Sequence, residues 1–252
     1  MDKHPLTIFP LGDSALTMDL GDCISKDLNR KALAIKEWME FHRFPGIKDI
    51  IIAYSSVSVF YDPAEIREGS ADRRKTAFII MCEKLEEAWR QVGLSSEEPL
   101  PSSGEPAAFS GGTEGRISIP VCYEEPYGPD LGWLSQKKGL SREQLIHLHS
   151  SVVYRVYMIG FLPGFPYLGK IDPRLEIPRK DKPVPVMAGS VGIAGNQTGI
   201  YPLNSPGGWQ IIGRTSLKLF DPHAEVPIRL KPGDRVQFVP VTEGEYRAAL
   251  AG

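Results

Sequence analysis

The chain has 252 residues, enough for one large domain or two ordinary ones, and 29 Lys+Arg balance 31 Asp+Glu to a formal net charge of −2. Such a balance gives no basic field for nucleic acid or an anionic membrane, so small molecules and proteins are the expected partners. The three cysteines, Cys23, Cys82 and Cys122, are scattered without CxxC or neighbouring histidine spacing, which fits reduced thiols rather than zinc ligands. No signal-like N-terminus and no run of about 18 apolar residues is present. The expectation is a cytoplasmic protein.

In chain order, "LTIF" and "ALTMDL" read as two short strands around a Pro-Leu-Gly-Asp turn, with Leu16, Met18 and Leu20 alternating at period two. Ser25 stands at an N-cap position before Leu28, Ala32, Ile35 and Met39, which share one helical face. That helix should stop near Phe44-Pro45-Gly46. "DIIIAY" and "VSVFYDP" follow as a strand pair, and Phe78, Met81, Leu85 and Trp89 predict a second helix from about Ala71 to Val92. Residues 1–92 thus read as a small α+β domain of order ββαββα, both helices on one sheet face. Residues 93–115 are dominated by Ser, Gly, Pro and Glu and read as a flexible linker.

The remainder, 116–252, opens with the strand "RISIPVCY" and two short helices, the second capped by Ser141 with Gln144 three residues on. Beyond these the pattern is short strands punctuated by Gly and Pro, including "YRVYMIGF", "MAGSVGIAG", "GIYPL", "GWQIIGRT", "LKLFD" and "DRVQFVPV". A barrel or sandwich without further helices is predicted.

The standard phosphate-loop, dinucleotide, zinc-protease and nucleophile-elbow motifs are all absent from the sequence. His147 and His149 would point to different faces of a helix, which argues against a shared metal, and no metal site is expected. His149 falls where the last helix meets the first barrel strand. It is either a proton donor or acceptor at a pocket mouth or a helix-end histidine bonding a C-terminal carbonyl, and position alone favours the second.

Two stretches concentrate unusual chemistry. "GFLPGFPYLG", residues 160–169, sets Phe161, Phe165 and Tyr167 on a backbone stiffened by proline and turned by glycine, so its aromatics plug a core or line a cavity. "NQTGIYPLNSPGGWQIIGRT", residues 196–215, sets Gln197, Thr198, Tyr201, Ser205, Trp209 and Arg214 among glycines. It reads either as two β-turns with a core tryptophan or as a pocket for a small polar or anionic molecule, with Arg214 or Arg179 holding a carboxylate.

These stretches, with "IPVCY", "GPDLGWL", "IPR" and the N-terminal "PLGDSALTMDLGD", resemble the carboxyltransferase-domain family that contains the first subunit of allophanate hydrolase. That group includes the B subunit of 5-oxoprolinase and the kinase inhibitor KipI. The resemblance implies a cyclophilin-like β-barrel after the α+β domain. It implies one component of an ATP-dependent 5-oxoprolinase, working with subunits A and C and opening a small lactam, with ATP held by or with those partners. His149 and Arg214 are the catalytic residues so implied. Phe165, Tyr167, Arg179, Ser190, Gln197, Thr198, Tyr201 and Trp209 are the substrate-binding ones. The alternative within the group is an inhibitor of a sensor histidine kinase; a urea-degrading role is weakened by the lack of biotin-attachment and amidase segments, and prolyl isomerisation rests on barrel analogy alone. One departure stands out: where the family commonly carries a second Pro-Arg and then Arg-Val-Pro-Ala-Gly, this chain reads "KDKPVPVMAG", leaving Lys180 or Lys182 to replace a guanidinium fork.

Overall fold

A computed structural model describes residues 6–42, 44–94 and 115–251. The chain divides into two units, Met1–Gly104 and Glu105–Gly252. Most of the predicted linker, 93–115, lies outside the described residues.

In the first unit, strands β1 (Thr7–Pro10), β2 (Ala15–Asp19), β3 (Ile47–Ile52) and β4 (Ser56–Tyr61) form an antiparallel sheet in the order β1-β2-β4-β3. Period-two alternation sends Leu16, Met18, Val57, Val59, Ile50 and Ile52 to one face, where they are buried with Ala32, Ile35 and Met39 of α1 (Lys26–His42) and Met81, Leu85 and Ala88 of α3 (Ala77–Leu94). The predicted N-cap holds: the Leu28 amide donates to Ser25 Oγ at 3.4 Å. The second predicted helix forms but begins later than expected, and a further helix precedes it, α2 (Pro63–Glu68), whose cap Asp62 accepts from the Ala64 and Glu65 amides. Helix α3 then starts six residues after Ala71, at Ala77. Between them Ser70 and Asp72 take local amides onto their side chains, a competition that ends helix until Thr76 Oγ1 accepts from Ile79 N. The order is therefore ββαββαα.

In the second unit, among the described residues, seven strands close a barrel. They are β5 (Arg116–Cys122), β6 (Val153–Ile159), β7 (Pro166–Gly169), β9 (Ser190–Ala194), β10 (Gln197–Ile200), β12 (Gln210–Arg214) and β13 (Arg235–Val241), in the cyclic order β10-β7-β6-β13-β5-β12-β9. Strands β5 and β13 run parallel; the other pairings are antiparallel. Interior positions carry Ile119, Val121, Tyr154, Val156, Leu168, Val191, Ile193, Ile200, Val236 and Phe238, all buried. Helices α4 (Leu131–Lys138) and α5 (Arg142–Ser150) follow β5, and the capping box of Ser141 and Gln144 forms as the sequence indicates. A short ribbon of β8 (Val184–Val186) and β11 (Ser205–Gly207) stands apart from the barrel sheet.

Two sequence expectations fail here, and "PYLG", to which the sequence pattern assigns no element, is strand β7: Pro166 takes the first position of the strand, opposite Ile159, where its missing amide is tolerated. "LKLFD" makes only one isolated bridge, Phe220 to Ile228, since Asp221 turns the chain by accepting from the His223 amide. The chain also ends in a helix, α6 (Glu243–Ala251), started by a reciprocal box in which Thr242 Oγ1 accepts from Glu245 N and Glu245 Oε2 accepts from Thr242 N. Among the described residues, no helix is long and apolar enough to cross a membrane.

Candidate functional site

Strand alternation sorts the candidate residues before any chemistry is considered. On β10, Thr198 and Ile200 point into the barrel, so Gln197 and Gly199 point out. On β7, Leu168 points in and Tyr167 out.

His149, at the end of α5, is a polar residue of the barrel interior, as is Thr198. It has no exposed surface and its ring stacks on Phe238 at 4.5 Å. Nδ1 lies 2.8 Å from the Tyr123 hydroxyl and Nε2 2.9 Å from Thr198 Oγ1. Because Thr198 Oγ1 spends its own proton on the Gly192 carbonyl at 3.0 Å, it must accept from Nε2–H, leaving Nδ1 to accept from the tyrosine. Burial pushes the imidazole pKa down to about 3, so the ring is neutral. Neither sequence reading of His149 describes this arrangement. The ring is fully buried and its two nitrogens bond side chains, so the histidine ties the end of α5 to Tyr123, the residue after β5, and to Thr198 of β10 inside the barrel.

Phe165, Tyr201 and Trp209 gather on the outer face with Val186, Ala194 and Ile211, and Tyr167 packs against them half-buried. Phe165 sits edge-on to Tyr201 at 5.1 Å and to Trp209 at 5.4 Å, the geometry favoured by ring quadrupoles. Two glycines make room for these rings: a Cβ on Gly199 would stand 2.9 Å from the Phe165 ring, and one on Gly207 2.5 Å from the Tyr201 hydroxyl. The glycines thus admit aromatics. Phe165 plugs a core, and Tyr167 forms part of its edge.

Arg179 is exposed on a strap that runs alongside this cluster. The strap is fixed where Gln210 Nε2 donates to the Pro178 carbonyl at 3.2 Å and the Lys180 amide donates to the Gly208 carbonyl at 2.7 Å. Burial raises the phenol pKa of both Tyr167 and Tyr201; the Arg179 charge opposes this at Tyr167, and a backbone hydrogen bond at Trp209 followed by the Arg179 charge oppose it at Tyr201, without reversing either. Lys180 is not available as a substitute anion ligand. Its ammonium lies 2.5 Å from Asp130 Oδ2, which also accepts from the Ile211 amide at 2.6 Å.

Ser190 and Arg214 face each other in register at one end of the barrel sheet, where Arg214 Nε donates to the Ala188 carbonyl at 2.8 Å. Gln197 lies opposite Ala194, a member of the aromatic cluster. The structure therefore brings Phe165, Tyr167, Tyr201 and Trp209 together, with Arg179 exposed on the strap that is bonded to Gly208 and Gln210. It sets His149 with Thr198 inside the barrel and Ser190 with Arg214 at its end. Sequence reasoning missed Asp130 and Tyr123. Asp130 had a signal, an acidic residue at the start of a helix; Tyr123 had none, because its partner lies 26 residues away.

An α+β unit and a closed barrel in one chain, the barrel carrying an aromatic cluster on its outer face, define the architecture against which known proteins can be compared. The chain belongs to the carboxyltransferase domain, subdomain C and D, family, whose model matches residues 6–230. It is 38% identical over 239 residues to the B subunit of 5-oxoprolinase from Bacillus subtilis, covering 94% of each chain. It is 34% identical to the protein of the same name from Haemophilus influenzae, covering 93% of this chain and 97% of that one. Among solved structures, that of TTHA0988 superposes with a TM-score of 0.70 at 34% identity, covering 93% of this chain but only 40% of that longer chain.

Proposed function

We propose that this chain is one component of an ATP-dependent 5-oxoprolinase that hydrolyses 5-oxo-L-proline to L-glutamate with partner subunits A and C. The similarity to the B subunit of 5-oxoprolinase over nearly the whole length supports the assembly. The observation that carries the site is the exposed Arg179 on a strap whose neighbours Pro178 and Lys180 are hydrogen-bonded to Gln210 and Gly208, the two residues flanking Trp209 of the aromatic cluster. A guanidinium fork binds a carboxylate through two parallel bonds, and an aromatic edge covers the apolar face of a five-membered ring. Those are the two recognition elements of 5-oxoproline.

A lactam is a stabilised amide, and phosphoryl transfer from ATP to its carbonyl oxygen makes the carbon open to water. Attack by one water breaks the C–N bond, the ring nitrogen taking a proton and leaving as the amine of γ-glutamyl phosphate, and a second water hydrolyses that acyl phosphate to glutamate and phosphate. In this reading ATP belongs to the partner subunits. Arg179 orients the substrate, Tyr167 excludes water from one side, and Arg214, oriented by the Ala188 carbonyl, is the second cation of the site. His149 and Thr198 act as positioning residues that hold β10 and hence the Gly199 floor beneath Phe165.

The test is to coexpress the chain with subunits A and C and measure glutamate and phosphate released from 5-oxoproline and ATP, omitting each component in turn. Release that vanishes without this chain supports the proposal. A complete set that turns over nothing, together with inhibition of a histidine kinase by the purified chain, transfers the assignment to the inhibitor reading.

A further inference from the structure

Strands β8 and β11 pair with each other in the register Val184 to Gly207, Pro185 to Pro206 and Val186 to Ser205, so alternate pairs face opposite ways. Pro185 and Pro206 are exposed on the outer face of this ribbon. The inner face lies on the aromatic cluster: Val186 is buried there with Phe165, Tyr201 and Trp209, and a Cβ on Gly207 would stand 2.5 Å from the Tyr201 hydroxyl. Ser205 shares that inner face with Val186. Its Oγ is buried and has no hydrogen-bond partner among the described residues. A hydroxyl taken out of water without a partner destabilises a fold, and native proteins keep few of them. Alanine would serve the packing against apolar rings without that cost, so the fold alone does not explain the hydroxyl.

We propose that the β8–β11 ribbon is a flap under which 5-oxoproline binds, its lactam amide pairing with the Ser205 hydroxyl. This rests on the 5-oxoprolinase reading above and supplies recognition for the substrate group that Arg179 and the aromatic rings leave unmatched. The amide offers an N–H donor and a carbonyl acceptor, and a serine hydroxyl can pair with either. The ribbon adjoins the Arg179 strap: the Lys180 amide donates to the Gly208 carbonyl at 2.7 Å, and a Cβ on Gly208 would lie 3.9 Å from the Arg179 Cβ. A carboxylate on Arg179 and an amide under the ribbon are therefore neighbouring subsites. Movement is open to the ribbon because its two strands form their own sheet and join no barrel strand. One end is pinned, where Ala188 N donates to Asn204 Oδ1 and Gly189 N to the Tyr201 carbonyl, each at 2.7 Å, which makes that end the hinge. Closure over the substrate buries the new hydrogen bond, so a ring lacking the amide leaves Oγ unpaired and is rejected.

The experiment uses the full chain, coexpressed with subunits A and C. Wild type and Ser205→Ala are compared for the KM for 5-oxoproline, the melting temperature of the chain alone, and hydrogen exchange of residues 203–209 in the complex with 5-oxoproline but no ATP. Ser205→Ala should raise KM about tenfold or more while melting no lower than wild type, because it removes a buried hydroxyl that has no partner in the free chain. 5-Oxoproline should slow exchange in the ribbon of wild type and do so less in the variant. An unchanged KM overturns the proposal. Melting that falls together with activity also overturns it and makes the hydroxyl a packing element, and a ribbon whose exchange ignores 5-oxoproline overturns the flap. If the wild-type complex itself turns over no 5-oxoproline, the 5-oxoprolinase reading fails and the flap's ligand with it, an outcome separate from the others because wild type is then already inactive.

Discussion

The buried histidine makes the barrel acid-labile in a defined window. His149 is neutral in the folded protein with a pKa of about 3, against 6.5 for an exposed imidazole. Its folded pKa is depressed, so above pH 6.5 neither state binds a proton and stability is unaffected. Below 6.5 the unfolded chain takes up a proton that the folded one refuses, and stability falls until about pH 3. Between neutral pH and pH 5 the loss from this one residue amounts to about 2 kcal/mol, a large part of a typical domain's margin. Tyr123, whose phenol is raised by burial, and Thr198 stay uncharged throughout and supply no compensation. Peptide-resolved hydrogen exchange across β6 and β13, performed from pH 7.5 to 5 on wild type and His149→Gln, isolates the effect from carboxylates common to both. The wild-type opening free energy should drop by about 2 kcal/mol more than the variant's. Equal slopes would refute a neutral, desolvated His149.

Other perturbations follow from the same geometry. Arg179→Ala should raise the KM for 5-oxoproline at least tenfold in the assembled enzyme with melting unchanged, because the side chain is exposed; steady-state kinetics checks this. Asp130→Ala removes the acceptor of both the Lys180 ammonium and the Ile211 amide and should destabilise the barrel unit by about 2 kcal/mol, whereas Lys180→Ala should cost less, since Asp130 keeps its amide donor; urea denaturation ranks the pair. Gly128→Ala should be severely destabilising, as its Cβ would stand 2.3 Å from the Ile212 carbonyl oxygen, a backbone atom that cannot step aside; soluble yield and melting temperature report it. Phe165→Ala should cost about 3–5 kcal/mol by opening a cavity among Tyr201, Trp209 and Tyr167, read by thermal unfolding.

Which parts of this molecule could be read from sequence depends on how far apart the cooperating residues lie. Leu28, Ala32, Ile35 and Met39, or Val57 and Val59, announce a helix and a strand because period alone places them on one face. Local chemistry was equally available at Asp62-Pro63 and at Thr242 with Glu245, where cap signatures mark helices that the apolar pattern hides: α2 and α6 bury one side chain each, Ile66 and Tyr246. The site is different in kind. Whether an aromatic plugs a core or lines a cavity depends on the strand across from it, and Phe165 is buried because Gly199, 34 positions later, is register-paired to Tyr167 and leaves space for a ring. His149 was undecidable for the same reason: its meaning is set by Tyr123 and Thr198, which reach it only once the barrel closes. The family motifs are dense in this region because closure requires them. Glycine at 199 and 207, the aromatics they admit and the strap at 178–180 form one mechanical unit, so the residues that build the barrel's outer face are also those that present Arg179.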